Sequence, residues 1–268
     1  MESTPNRSLN HICMHRLRSL AERHGTPLWV YDAEQIRRNV RKLAAFDVIR
    51  YAQKANSNTH VLALLRELGV KVDAVSGGEI ARALAAGFIP GRESEDIVFT
   101  ADVFDRATLE QIVALDIPAN LGSASMLEQL GAASPGHAIW LRINPGFGHG
   151  HSRKTNTGGP NSKHGIWHED LPTVLSLIDQ YRFDLVGLHM HIGSGADEMH
   201  LRSVCEAMVR VATGIGRPIR RISTGGGLPI PYRADAEPFG LQDWAQGLAA
   251  VKAARPDLKV GVAGCVAQ

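Results

Sequence analysis

An α/β fold built on one parallel sheet is what the sequence predicts, and three observations carry that expectation. Short β-branched runs alternate with longer stretches of helical periodicity along the chain. Eight such runs follow one another between residues 48 and 262, a pattern that favours parallel pairing with helices packed on the sheet. The 268 residues lie near the usual size of a (β/α)8 barrel and suffice to bury a substantial core. Periodicity alone leaves the sheet closed or open.

The elements follow in order. A helix over residues 10–24 comes first, and residues 27–31 (PLWVY) read as a strand. Asp32 can then N-cap a helix whose apolar Ile36, Val40 and Leu43 fall at helical spacing. The strand-like runs are 48–52, 70–75, 97–100, 117–121, 138–143, 185–191, 219–224 and 258–262. Between them the helical pattern recurs at 59–68, 78–86, 107–115, 124–131, 171–181, 199–213 and 241–254. The longest break, residues 144–165, is rich in Gly, His, Lys, Ser and Asn. A loop of that length inside a compact domain is functional or disordered.

Composition excludes several classes. Hydrophobic residues at 44% and charged residues at 21% are ordinary for a globular domain. A net charge of +2 argues against a general nucleic-acid surface. No apolar run reaches membrane-spanning length, and the first ten residues are too polar for a secretory signal. Cys13, Cys205 and Cys265 are odd in number and widely spaced, which indicates neither a disulfide framework nor a zinc cage. A reducing cytoplasm is the expected compartment.

Several motifs sit where strands should end. Lys54, in YAQKAN, would point into a barrel mouth, where desolvation makes an amine a better Schiff-base nucleophile. Taken alone, a lysine after a strand is ordinarily a solvated surface charge. In DAVSGGE, Asp73 and Glu79 could pair with a lysine or orient a ring; equally, Asp73 or Ser76 caps a helix and Glu79 is a favourable first-turn acid. His189 and His191 share a strand face. They read as metal ligands, as an imidazole stacked on a flat cofactor with Ser194 on its phosphate, or as a hydrogen-bonded core pair. Gly225, Gly226 and Gly227 allow close backbone approach and an anion nest, or simply a flexible turn. The motif is not GxGxxG and does not follow the first strand, which disfavours a dinucleotide fold. The run GFGHGH, containing His149 and His151, has no acidic residue nearby in sequence and reads as a mobile loop, with no metal expected.

Together these segments resemble the diaminopimelate decarboxylases, in the alanine-racemase-like barrel group that includes ornithine and arginine decarboxylases. YAQKANSN, VDAVSGGEI, DIVFTADV, LRINPGFGHGHSRKTNTGGPNSKHGIW, GLHMHIGSG and ISTGGGLPIPY stand in the expected order over residues 24–232. The resemblance implies a (β/α)8 TIM-type barrel over residues 33–268, ending at about the eighth strand and carrying pyridoxal 5'-phosphate. It implies that residues 1–32 supply a helix and a strand that would normally join a C-terminal β-domain. Lys54 would form the internal aldimine, His191 would stack on the ring, and Ser194 with Gly225, Gly226 and Gly227 would hold phosphate. Asp73, Glu79 and Arg142 match further active-site positions. Lys163 matches a lysine at the group's homodimer interface, in a segment where most members carry Phe in place of His164. The implied reaction releases carbon dioxide from the D-configured centre of meso-2,6-diaminopimelate and yields L-lysine, a step of lysine biosynthesis, with no nucleic-acid or membrane partner.

Two departures stand out. The group carries Glu-Pro-Gly-Arg after the eighth strand, its glutamate pairing with the ring nitrogen. This sequence has Val260-Gly261-Val262-Ala263-Gly264-Cys265 there. The β-domain, which supplies a cysteine proton donor and a tyrosine to the neighbouring subunit, has no counterpart in these residues, and Cys265 does not stand at that cysteine's position. Impaired activity of this chain is therefore expected. The competing readings are a non-catalytic barrel that carries pyridoxal phosphate, which the diaminopimelate-type loop does not fit, and a metal-dependent hydrolase using His189 and His191. The latter class usually places its HxH pair on the first strand, whereas here it falls on the sixth.

Overall fold

A computed structural model describes residues 13–150, 155–195, 197–226 and 241–264. Eight strands close a parallel ring: β1 (Val48–Ala52), β2 (Lys71–Ala74), β3 (Ile97–Phe99), β4 (Ala119–Leu121), β5 (Ala138–Asn144), β7 (Asp184–His189), β8 (Arg221–Ser223) and β9 (Lys259–Gly264). A two-residue strand, β6 (Ile166–Trp167), hangs on the end of β5, pairing Ile143 with Ile166. The ring closes where β1 meets β9, with Val48 opposite Gly261 and Tyr51 opposite Gly264. The (β/α)8 expectation holds, and closure answers the question that periodicity left open.

Helices wrap the outside: α2 (Ala33–Arg41), α3 (Thr59–Glu67), α4 (Gly77–Ala85), α5 (Arg106–Ala114), α6 (Ala124–Ala133), α7 (Leu171–Tyr181), α8 (Glu198–Gly214) and α9 (Leu241–Ala254). Their starts are set by side chains that satisfy orphan backbone N–H groups. Asn58, Ser76, Asp105, Ser123 and Asp197 each accept from an N–H in the first turn. Alternation along each strand sorts the two faces. On β1, Tyr51 is buried in the large apolar cluster that the strands form with the helices, together with Val72, Ile80, Leu65 and Phe99. The opposite, inward face carries Arg50 and, on β2, Asp73. A smaller apolar cluster of Val98, Ala138, Trp140 and Val186 is separate from the main one.

The inward floor is charged. Glu95 is buried and forms ion pairs with Arg50 at 3.6 Å and with Arg221 at 2.5 Å.

One element departs from expectation. The N-terminal helix runs Met14–His24 (α1), but residues 27–31 make no strand. The chain there is extended and exposed, Trp29 at 87% and Tyr31 at 54%. PLWVY has strand propensity, yet among the described residues no neighbouring strand pairs with it, and propensity without a ladder does not make a strand.

Candidate active site

The C-terminal ends of the strands form the mouth where barrels of this kind put their chemistry. Lys54 lies in a single 3-10 turn, Gln53–Ala55, directly after β1. Gln53 is fully buried, and its Nε2 donates to the Glu79 carbonyl at 2.7 Å. The Tyr51 hydroxyl donates to the Asn56 carbonyl at 3.2 Å, and Ser57 Oγ to that of Gln53 at 3.1 Å. The turn is therefore tied to the barrel on both sides of the lysine.

Asp73 stands on β2, in register with Ala52 and hence one strand away from the lysine turn. Burial pushes its carboxyl up to about 6 against the pull of the Arg50 and Lys54 charges. Glu79 occupies the first turn of α4, and Ser76, not Asp73, is the cap. Glu79 Oε2 accepts from the Val75 N–H at 2.8 Å while Ser76 Oγ accepts from the Glu79 N–H at 3.3 Å, a reciprocal arrangement of the capping-box kind. Burial raises the Glu79 pKa, opposed by that hydrogen bond and by Lys54. The capping and the active-site readings of DAVSGGE are thus compatible.

Across the mouth, Arg142 on β5 donates from Nη1 to Asp102 Oδ1 at 3.0 Å. Asp102 Oδ2 is 2.7 Å from His164 Nδ1. An Arg142–Asp102–His164 chain therefore joins β5, the segment after β3 and the long loop. The motif reading assigned no role to Asp102, although it sits in the DIVFTADV segment; forty residues of sequence separate it from Arg142.

The two histidines of LHMHIG have different surroundings. His189 is buried, with Nδ1 2.9 Å from Ser223 Oγ on β8, and burial holds its pKa well below the ordinary imidazole range. His191 lies just past β7, and its Nδ1 accepts weakly from the Gly226 N–H at 3.5 Å. Burial, then the Arg142 and Lys54 charges, push it down to about 3, so it is neutral at any ordinary pH. The rings are 6.5 Å apart, centre to centre, and tilted by 35°. That arrangement matches the core-histidine reading for His189 and leaves His191 as the imidazole at the mouth.

Gly225 has φ +72°, and a Cβ there would strike the Met190 carbonyl oxygen and come within 3.0 Å of His191 Cα. Only glycine brings the β8 end this close to the β7 end. Its carbonyl accepts from the Ala263 N–H at 2.9 Å, which draws β9 in as well. Thr224 Oγ1 is buried beside it with no hydrogen-bond partner among the described residues. Gly227 lies outside the described residues, as does Cys265. Ser194 is exposed, and its N–H donates to the Thr155 carbonyl at 3.1 Å, so its hydroxyl is the group available to a ligand. Lys163 is exposed on the long loop.

The GFGHGH run has no acidic residue nearby in sequence, but the fold brings one to it. His149 Nε2 lies 3.6 Å from Asp197 Oδ2, because β7 and the start of α8 return beneath the loop. The loop is also pinned: the His149 and Thr157 N–H groups both donate to the Ile192 carbonyl, at 3.2 and 3.0 Å.

The barrel mouth thus presents a lysine, two carboxyls, an imidazole and a close glycine approach between the last strands. The chain belongs to the pyridoxal-dependent decarboxylases, whose pyridoxal-binding-domain model matches residues 33–261. It is 64% identical over 217 residues to a diaminopimelate decarboxylase of Streptomyces coelicolor, covering 81% of this chain and 49% of that protein. A diaminopimelate decarboxylase of Escherichia coli K12 is 61% identical over 213 residues, covering 80% and 51%. The chain spans about half the length of these curated relatives. Among solved structures, a diaminopimelate decarboxylase superposes with a TM-score of 0.87 at 52% identity, over 93% of this chain and 61% of that one. The Helicobacter pylori diaminopimelate decarboxylase complexed with L-lysine superposes with a TM-score of 0.81 at 28% identity, over 92% and 66%.

Proposed function

We propose that this chain is the cofactor-binding barrel of a diaminopimelate decarboxylase, acting on meso-2,6-diaminopimelate to release carbon dioxide and L-lysine. The observation that carries the reading is the placement of Lys54 at the mouth, where its charge is felt by Asp73, Glu79 and His191, in a barrel whose relatives bear that name at up to 64% identity.

The residues present fit pyridoxal 5'-phosphate. Gly225 and Gly226 give phosphate a backbone surface free of side chains, with the Ser194 hydroxyl and the unpartnered Thr224 hydroxyl as further donors. When bound, the cofactor supplies a conjugated ring that withdraws the electrons left behind by departing carbon dioxide. Lys54 anchors it through its amine. His191, held neutral, offers a flat face without adding a second positive charge beside Lys54 and Arg142. Asp73 holds its proton up to about pH 6, within the field of the lysine charge. Glu79 is locked by the Val75 N–H and orients, while Arg142, steadied by Asp102, keeps positive charge at the opposite wall. The segment Lys259–Gly264 brings no acid to the mouth, so the family's carboxylate partner for the ring nitrogen is missing from β9. On that ground binding is expected to be retained more fully than turnover, which keeps a non-catalytic carrier as the second reading. Lys163 is assigned to the homodimer contact of the longer relatives, residues 1–32 to their β-domain, and the compartment to the cytoplasm. No helix among the described residues is long and apolar enough to cross a membrane.

The test is reconstitution of the purified chain with pyridoxal phosphate, followed by its visible absorbance, in wild type and Lys54→Ala. The bound-cofactor band is expected in wild type and lost in the variant, with L-lysine and carbon dioxide formed from meso-diaminopimelate. A band that survives in Lys54→Ala overturns the anchor; a lysine-dependent band with no product leaves the carrier reading.

A further inference from the structure

On the rim of the mouth, the long loop after β5 and the start of α8 assemble a second group of ionisable side chains that shares no residue with the first. His149 comes from the loop, Asp197 caps α8, and His200 lies in the first turn of that helix. Asp197 Oδ1 accepts from the His200 backbone N–H at 2.9 Å and lies 2.6 Å from its Nδ1. Asp197 Oδ2 is 3.6 Å from His149 Nε2. The two imidazoles stack, with ring centres 3.9 Å apart and planes 20° from parallel. One ligand atom from each of the three residues lies within 4.8 Å of the others.

This proximity is built by backbone. The His149 N–H is bonded to the Ile192 carbonyl, and Asn156 bridges to Gly193 in antiparallel fashion. A Cβ at Gly193, whose φ is +148°, would strike the His149 carbonyl oxygen, so glycine is what lets the loop lie this close. On the other side, Asp197 and His200 are held three residues apart by the helix they start. Two rigid supports therefore aim two imidazoles at one carboxylate.

The donor set points to a particular ligand. Two imidazoles and a carboxylate suit a divalent metal of the zinc class and leave one position for water. Calcium and magnesium want an oxygen shell that one carboxylate does not supply. Around a tetrahedral ion with bonds of about 2 Å, ligand atoms stand roughly 3.3 Å apart, and the three present ligand atoms lie within 4.8 Å of one another. The positive end of α8 disfavours a cation, but the Asp197 charge lies between them. We propose that His149, Asp197 and His200 bind one divalent transition-metal ion, which staples the loop after β5 to the start of α8. The site is separate from His189 and His191 and does not depend on the cofactor reading.

The experiment uses the whole chain, stripped of metal and loaded with pyridoxal phosphate, titrated with Zn2+ against a chromophoric chelator. One Zn2+ per chain is expected in wild type. The His149→Ala/His200→Ala double variant is expected to lose affinity by at least the ~10–100-fold that removal of a mere outer-shell partner costs. Asp197→Asn retains a capping side chain, so its metal-free melting temperature should stay close to wild type while zinc affinity falls. Co2+ added to wild type should give the visible bands of a low-coordinate ion, absent in the double variant. Absence of zinc uptake by wild type, or equal uptake by the double variant, overturns the proposal.

Discussion

Asp73 offers a direct measurement of how the mouth is tuned. Its side chain is 8% exposed, and burial raises its carboxyl from the ordinary 3.8 to about 6. The native state therefore binds this proton more tightly than the unfolded chain. The stabilising contribution is fully present below about pH 4 and is lost as pH rises through about 6. At about 1.4 kcal/mol for each factor of ten in proton affinity, the gap from 3.8 to about 6 corresponds to about 3 kcal/mol. Asparagine cannot ionise, so Asp73→Asn should remove that slope. Urea unfolding of the cofactor-free chain, followed by circular dichroism from pH 4 to pH 8, reads it. The stability of Asp73→Asn minus that of wild type is expected to climb by about 2.5 kcal/mol across this window, since at pH 4 the unfolded carboxyl is already more than half ionised; nearly all of the climb falls below pH 7. A difference that stays flat with pH would mean that Asp73 titrates as an ordinary carboxylate, and the burial argument would be wrong.

Gly225→Ala should cost on the order of 1–2 kcal/mol for the left-handed backbone alone, before the collision with the Met190 carbonyl. Its melting temperature should drop, and half-saturation with pyridoxal phosphate should need more cofactor. Glu95→Gln takes the ion-paired carboxylate away from buried Arg50 and half-buried Arg221, and urea denaturation should show a loss of about 3 kcal/mol; a loss under about 1 kcal/mol would contradict a buried ion cluster. Ser223→Ala takes the hydroxyl from buried His189, with an expected cost of about 1–3 kcal/mol in the same assay.

Most of the barrel was legible because each strand is a short β-branched run bounded by helical periodicity. Residues 48–52, 171–181 and 241–254 were anticipated to the residue as β1, α7 and α9. β6 escaped because two residues on the end of β5 carry no period. PLWVY misled for the opposite reason, a good strand pattern with nothing to pair against among the described residues. Lys54 alone looked like a surface charge, and only the order of the surrounding motifs gave it a proposed role. The Arg142–Asp102–His164 chain and the His149–Asp197–His200 group were invisible in sequence, because closing the barrel, rather than local spacing, brings their members together.

The seam between β1 and β9 has a further consequence, for the time course of folding. Asp47 stands just before β1, yet its N–H donates to the Val260 carbonyl at 3.0 Å, its Oδ2 accepts from the Val260 N–H at 2.9 Å, and its Oδ1 takes Lys252 Nζ at 2.6 Å. These partners are separated by 213 and 205 residues. A nascent chain leaving the ribosome can form its local strand–helix units early, but the edge of β1 stays open until residue 260 has emerged. Through that interval the unpaired edge of β1 is available to wrong partners. Asp47, a charge placed at the start of that edge, is a residue type that native sheets use to discourage such pairing until the proper strand arrives.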